Sequence, residues 1–313
     1  RVYLSLGGEM AETQTLAAAA HFINTHQEEL RAIIKSGASY AAAQSTLLQN
    51  AGFTFAAAEA NDILALEYCR CLQKYAPQIM PLVIRRCGAG YNSSDISAEY
   101  ASASGIRAEY AAAGLSGRIL KQIPECSHKL LETLHSLNLL GWNTAKLDAL
   151  ILYKLCMLTE QQITAACECT EGLEHRLKAA SSCQDMQSVV SSVSSKRYTK
   201  SRIRRLLMQL LLGNDKTIFT EAKPQYLRVL AFNSRGRSLL AQMRKTASLP
   251  VITKIGRNFK NCLTGDTGKD ELIIRQLQMD INAANLLALL QNRSQTYCQT
   301  YNSDFLMQPF QQD

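Results

Sequence analysis

The sequence predicts a two-part molecule: an incomplete α/β domain of the doubly wound type over residues 1–120, followed by a mainly α-helical domain over 121–313. Three observations predict it. Two apolar runs, "RVYLSLGGE" (1–9) and "IMPLVIRRCGAGY" (79–91), read as strands ending in glycines, with helical periodicity filling the chain between them. From about residue 130 to 245 one helical pattern follows another. The 313 residues are rich in Ala, Leu, Gln and Ser and hold only 6 prolines, which favours helices throughout.

In order, 1–9 is a short buried strand running into a glycine turn. Residues 10–76 give "AETQTLAAAAHFINTH", "QEELRAIIKSGASYAAAQSTLLQN" and "EANDILALEYCRCLQKY", broken near Gly37 and Gly52. The continuous apolar run at 79–91 is typical of a parallel strand covered on both faces. "SASGIRAEYAAAG" (102–114) begins with serines in N-cap position and turns helical. Strand, helices, strand, glycine turn and helix together resemble the tail of a nucleotide-binding domain, whose ligands sit outside the carboxyl ends of the strands. Two strands are few for a stable sheet.

"QIPECSHK" (122–129) marks the boundary. The second part reads as helices through "PQYLRVLAFNSRGRSLLAQMRK" (224–245). A short run follows at 249–256 that is either strand or extended loop, then a final helical region from "DELIIRQLQ", and a loose tail, "SDFLMQPFQQD".

The apolar fraction of 47% and charged fraction of 19% exclude wholesale disorder. No apolar run reaches the roughly 18–20 residues that span a bilayer, so no membrane partner is expected. Ten cysteines make two C-x-C pairs and no C-x-x-C; within helical patterns they read as reduced thiols of a cytoplasmic protein. A zinc site from Cys167, Cys169 and His175 has the wrong spacing. His21, His26, His128, His135 and His175 form no catalytic or metal pair and read as surface or packing residues. The chain begins at Arg1 with no basic stretch leading into an apolar one, so no signal peptide is expected.

Charge is the most informative compositional feature. The formal net charge is +8, yet residues 194–260 hold sixteen Lys or Arg and two acids, a net +14 that leaves −6 for the rest. Such asymmetry points to a polyanion, most often a nucleic acid. Its densest part is "SSKRYTKSRIRRLLMQLLLG" (194–213). On a helix, Ile203, Leu206, Leu207, Leu210 and Leu211 form a buried stripe. Tyr198, Arg202, Arg205 and Gln209 fall opposite, with Lys196, Arg197 and Lys200 crowding the N-terminal approach. A solvated face would mix in acids, since like charges one turn apart repel. The set therefore reads as a phosphate-tracking surface, with Tyr198 available to stack on a base. Arg235 and Arg237, in the turn-like "NSRGRS", form a second basic patch.

At the other end of the chain, Arg85 and Arg86 close the second strand, where one of them can clamp phosphate oxygens. Ser102 and Ser104 open a helix whose free N–H groups favour phosphate, with Arg107 one turn in; a plain N-cap with a surface arginine is the alternative. Asn61 is either a nucleotide contact or an N-cap.

Seven motifs in order make a resemblance specific: "ANDILALEY" (60–68), "IRRCGAGY" (84–91), "SASGIR" (102–107), "GLEHRL" (172–177), "SKRYTKSRIRRLL" (195–207), "AFNSRGRSLL" (231–240) and "YNSDFLMQPF" (301–310). Together they resemble the tRNA(Met) cytidine acetate ligases of the nucleotidylyltransferase superfamily, over nearly the whole chain. The resemblance implies an ATP-binding nucleotidylyltransferase-like part, a helical tRNA-binding part, and acetyladenylate made from ATP and acetate. The acetyl group then passes to the wobble cytidine of elongator tRNA(Met), with Mg²⁺ on the ATP phosphates. It places Gly7, Asn61, Arg86, the backbone of Cys87, and Ser102, Ser104 and Arg107 at the nucleotide. The sequence departs from the family pattern at Gly8, where serine is usual, and at Asp62, where asparagine is usual.

The family's His-x-Gly-His-type signature has no match here, so no catalytic residue is assigned. Arg1 aligns on the order of a hundred residues into the family pattern, an expectation of a chain truncated ahead of Arg1. Two other readings stand beside this one: a non-catalytic RNA-binding protein, and a nucleotidyltransferase making a dinucleotide cofactor. The second has no use for a +14 region.

Overall fold

The structure, a computed structural model, describes residues 2–9, 12–53, 60–85, 87–88, 96, 99–170, 172–220, 223–256, 263, 265–291 and 302–312. They fall into two compact units: 1–133 with 195–199, and 134–194 with 200–313.

In the first unit, β1 (Val2–Gly8) lies parallel to β2 (Ile79–Arg85), Leu6 opposite Val83 and Gly8 opposite Arg85. Between them run α1 (Thr13–Thr25), α2 (Gln27–Lys35), α3 (Tyr40–Asn50) and α4 (Ala60–Tyr75). Strand alternation sends Leu4, Leu6 and Val83 to one face, where α1 and α4 cover them. In α1 the spacing of Leu16, Ala19, Ala20 and Ile23 makes one buried stripe, and Ala65, Leu66 and Cys69 of α4 meet it. Each fully buried Leu or Ile in this core contributes about 1.5–3 kcal/mol. Thr13, opening α1, accepts a hydrogen bond from Val83 N at 3.1 Å and fastens that helix to the sheet.

The expected parallel pair is present, but two details differ. Among the described residues the sheet is covered on one face only: Tyr3, Met80, Leu82 and Ile84 point the other way and are exposed. The glycines belong to the strand instead of a turn, because Gly7 and Gly8 stay in register with Ile84 and Arg85.

After β2 come α5 (Ala103–Ala113), α6 (Gly117–Leu120) and α7 (His128–Ser136). The first unit runs past the expected boundary at residue 120. Gln122 accepts from Ala101 N at 2.7 Å and donates to the Ile96 carbonyl at 3.3 Å, which keeps the chain beyond α6 with this unit.

The second unit is a helical cluster of α8 (Thr144–Met157), α9 (Glu160–Ala165), α10 (Leu173–Ala179), α11 (Met186–Val193) and α12 (Lys200–Leu212). Polar side chains finish these helices: Thr159 and Gln162 form a capping box on α9, and Asp185 caps α11. Lys178 donates to the carbonyls of Leu155, Cys156 and Leu158 at 2.7–3.1 Å, closing the negative end of α8. Next come α13 (Lys216–Thr220), β3 (Leu227–Arg228), β4 (Ala231–Asn233), α14 (Ser234–Thr246), β5 (Val251–Ile252), α15 (Thr267–Leu290) and β6 (Phe310–Gln312).

Two expectations fail here. Residues 224–233 are not helical: β3 pairs with β5, β4 pairs with β6, and α14 starts only where Asn233 accepts from Gly236 N at 2.9 Å. The tail is not loose, because β6 docks parallel to β4. The short run at 249–256 does contain a strand, β5.

Candidate nucleotide site and basic surface

The first candidate site lies at the carboxyl ends of β1 and β2. Asp62, buried in the first turn of α4, accepts from Glu9 N at 2.7 Å. Asn61 Nδ2 donates to Glu9 Oε1 at 2.8 Å. These two bonds pin the N-terminus of α4 to the end of β1. The Asp62 carboxylate therefore closes the strand and sits at the positive end of a helix. Asn61 keeps its carbonyl oxygen and a second N–H for a ligand.

At the end of β2, Gly88 has φ +98°, and an added Cβ would lie 2.6 Å from the Tyr100 carbonyl oxygen and 2.7 Å from its Cβ. Only glycine allows that approach. It brings Tyr100 against the strand exit, two residues ahead of Ser102, which caps α5 by accepting from Gly105 N at 2.9 Å. Ser104, two residues on, is half-buried, and Arg107 is exposed with Nη2 3.5 Å from Ser104 Oγ.

Gly7 and Asn61 thus lie at the carboxyl end of β1 and Cys87 just past that of β2, while the Gly88–Tyr100 contact brings the chain leading into Ser102 to the β2 exit. Gly7 is exposed on the uncovered face and extended, so close approach, not positive φ, is what it offers. Cys87 is exposed. Arg86 lies outside the described residues. Glu9 was not singled out from the sequence; only the fold sets it beside Asn61 and Asp62.

The basic region divides. Ser195–Thr199 packs with the first unit as a turn, Ser195 N donating to Tyr198 O at 2.9 Å and Tyr198 N to Ser195 Oγ at 3.2 Å. Tyr198 is buried, so its ring is not offered to a base, and Arg197 sits 5.8 Å from the ring centroid. Lys196 is exposed.

In the second unit, Lys200 is exposed and opens α12, whose Ile203, Leu206, Leu207 and Leu210 are buried and whose Leu211 is half-buried. The two arginines assigned to its outer face are both engaged by Glu168, Arg202 half-buried and Arg205 exposed. Arg202 Nη2 donates to the Glu168 carbonyl at 2.7 Å and to Thr170 Oγ1 at 3.2 Å. Arg205 grips the Glu168 carboxylate through Nε at 3.1 Å and Nη2 at 3.0 Å. Glu168 takes a left-handed conformation, φ 67°, in meeting them. Arg204, not assigned a role from the sequence, donates to Gln187 at 2.8 Å.

Arg235 and Arg237 stand in the first turn of α14, not in a loop, and both are exposed. Arg237 donates to Gln311 at 3.0 Å, whereas Arg235 reaches no partner among the described residues. Arg244 and Lys245, near the end of the same helix, are also exposed and went unnoticed in the sequence.

Among the described residues no group of three or more His, Cys, Asp or Glu is placed to hold a metal ion. Burial pushes the Cys169 thiol up to about 11, as suits a packed thiol and not a ligand. The hydrogen bond to Glu160 raises His175 above its ordinary value. The eight described cysteines are free thiols, and no described helix is long and apolar enough to cross a membrane.

The profile of the HIGH nucleotidyl transferase family matches residues 2–302. This chain belongs to that family. It is 32% identical over 264 residues to the tRNA(Met) cytidine acetate ligase of Thermoanaerobacter sp. strain X514, covering 81% of this chain and 65% of that protein. With the enzyme of the same name from Acetivibrio thermocellus it shares 28% over 304 residues, 92% of this chain and 72% of the relative. The chain thus spans less than two thirds of the length of the first of these relatives.

The resemblance seen in the seven motifs is borne out by them. The expected offset of the start is not, since shares of length do not fix where the chain begins. The fold is that of Thermotoga maritima TmcAL, with a TM-score of 0.86 at 23% identity over 99% of this chain and 77% of that one. A second form of that protein, bound with α-thio ATP, superposes with a TM-score of 0.83 at 22% identity.

Proposed function

We propose that this member of the HIGH nucleotidyl transferase family is an ATP-dependent acetate ligase acting on elongator tRNA(Met). The observation that carries the reading is the start of α4, pinned through Asn61 and Asp62 to the carboxyl end of β1, next to a β2 exit whose Gly88 packs on Tyr100, two residues ahead of the Ser102 cap of α5. The positive end of α5, opened by Ser102, suits a polyphosphate there. The names of the relatives support the substrate.

In this reading the acetate carboxylate attacks the α-phosphate of ATP and pyrophosphate leaves. The N4 amine of the wobble cytidine then attacks the acetyladenylate carbonyl, and AMP leaves. No protein nucleophile is needed, so the site acts by positioning and by stabilising charge. The first unit, which runs past residue 120, forms the nucleotide part. Gly7 admits the nucleotide closely, Asn61 offers an amide edge, and Ser102, Ser104 and Arg107 meet the phosphates, with Arg86 and the Cys87 backbone completing the ring. Mg²⁺ travels with the ATP phosphates. The second unit forms the tRNA part, whose phosphate contacts are Lys200, Arg235 and Arg237. Lys196 and Arg197 offer phosphate contacts on the first unit.

The test is incubation with tRNA(Met), ATP and acetate, followed by nuclease digestion and mass spectrometry, alongside equilibrium binding of ATP. N4-acetylcytidine should form only with ATP present. Arg107→Ala should weaken ATP binding on the order of tenfold, the effect of losing one charge-assisted hydrogen bond, while tRNA affinity holds. A chain that binds tRNA but neither binds ATP nor acetylates would return the protein to the non-catalytic RNA-binding reading.

A further inference from the structure

The second unit contains a cavity of about 300 Å³ bounded by β3, β5 and the approach to β6, at the small end of the range for ligand sites. Most of its wall is apolar, with Leu230, Ile252, Ile255 and Met307 contributing. One carboxylate interrupts it. Asp304 is only 6% exposed. Its Oδ1 accepts from Arg228 Nη2 at 2.8 Å, while Oδ2 is buried with no hydrogen-bond partner among the described residues. A buried charged acceptor with nothing to accept from is costly and uncommon.

The charges around it choose the kind of guest. Arg228 lies between Asp304 and Asp280, 3.7 Å from the latter, and Tyr226 donates to Asp280 at 2.7 Å. One cation faces two anions, so the pocket repels phosphate and favours a hydrogen-bond donor. Phe310, at the mouth, is 67% exposed, an aromatic ring with a face to offer. Phe310 also lines a second hollow, of about 350 Å³, with Asn233 and Gly236 at the N-terminus of α14. That helix end carries Arg235 and Arg237 and no acid, so it suits the phosphate that the cavity refuses.

We propose that the Asp304 cavity is a nucleobase pocket: it takes an unstacked base of the bound RNA bearing an exocyclic amine, which donates to Asp304 Oδ2. Phe310 stacks at the mouth and the adjoining phosphate rests at the start of α14. Carboxylates read such an amine well. Uracil is refused because its N3–H is flanked by two carbonyl oxygens that repel the carboxylate. The inference rests on the RNA-binding reading above and adds a base-reading site to it.

The experiment is fluorescence anisotropy with the full chain, using a tRNA(Met) transcript, a short oligocytidylate and an oligouridylate of equal length. Wild type should bind oligocytidylate about tenfold tighter than oligouridylate. Asp304→Asn should remove that preference, and Phe310→Ala should weaken both oligomers about tenfold. Phe310 is largely exposed, so its variant stays informative if Asp304→Asn unfolds, which circular dichroism will show. Equal binding of the two oligomers by wild type, or a folded Phe310→Ala that binds as wild type does, overturns the pocket. If tRNA binds with normal salt dependence while the pocket variants change nothing, the pocket alone fails. If wild type binds no RNA, the RNA reading fails and takes the pocket with it.

Discussion

Helices α12 and α14 are each thirteen residues long, and each carries four basic side chains and no acid. In composition they are near twins, yet the fold uses them in opposite ways. Four residues of α12 are fully inside, Arg202 and Arg205 close on Glu168, and Arg204 reaches Gln187. In α14 no residue is buried, and three of its four bases, Arg235, Arg244 and Lys245, have no partner among the described residues. A run of bases therefore says nothing about where its charge is directed until its tertiary neighbours are known. In α12 the three arginines hold protein; in α14 three of the four bases are left for something else.

The comparison breaks most visibly in stability. Leu206→Ala, at a position with no exposure, should cost about 2–5 kcal/mol. Its counterpart Leu239→Ala, 55% exposed on α14, should stay within about 0.5 kcal/mol. Urea denaturation measures both, and equal losses would erase the distinction between the two helices.

A smaller effect sharpens it. Glu168→Gln removes the carboxylate that Arg205 grips and that lies 3.9 Å from Arg202 Nε, while leaving the carbonyl that accepts from Arg202. Because Arg205 is more than half exposed, the loss should be about 1 kcal/mol or less. Freed, Arg205 should steepen the salt dependence of tRNA binding slightly, by less than one unit of log–log slope. A shallower slope in this variant would mean that Glu168, not the arginine, matters to the RNA.

The smallest effect is one of pH. Just beyond α12, Asp215 accepts from Thr217 and pairs with Arg275 of α15 at 2.9 Å. The Thr217 hydroxyl first, and Arg275 second among the attractions, hold its carboxyl below the ordinary 3.8. A depressed folded-state value gives stability that is complete above 3.8 and is lost as pH falls through the lower folded value. Wild type and Asp215→Asn should therefore differ in thermal midpoint at neutral pH and converge in acid. The cap of α14 is Asn233, which does not titrate, so an Asn233→Ala variant should keep its deficit at both ends of the pH range.

Much of the fold was legible in the sequence, and the reason is periodicity. Two apolar runs with helices between them are enough for a parallel pair, and the spacing of Ile203, Leu206, Leu207 and Leu210 shows which side of α12 goes inside. Partners distant in sequence were not legible. Glu168 lies 34 and 37 residues from the arginines it holds, and no local pattern joins them. Tyr198 looked available for stacking because the sequence placed it on a helix face, whereas it is buried in the turn Ser195–Thr199 ahead of α12. The pairing of β4 with β6 was hidden for the same reason, since a three-residue strand has too few side chains to show alternation. At the sheet end, serines before a helix were readable as a cap, whereas the joining of Glu9 to Asn61 and Asp62 depends on a separation of 52 and 53 residues.

The most direct test of the central claim is the salt dependence of tRNA binding for two double variants of equal charge loss, Arg202→Ala/Arg205→Ala on α12 and Arg235→Ala/Arg237→Ala on α14. The account predicts that the α14 pair lowers the log–log slope by about 1.4–1.8, the contribution of two phosphate contacts, with little loss of thermal stability. The α12 pair should leave the slope nearly unchanged and lower the melting temperature. A slope lowered by the α12 pair and untouched by the α14 pair would contradict it.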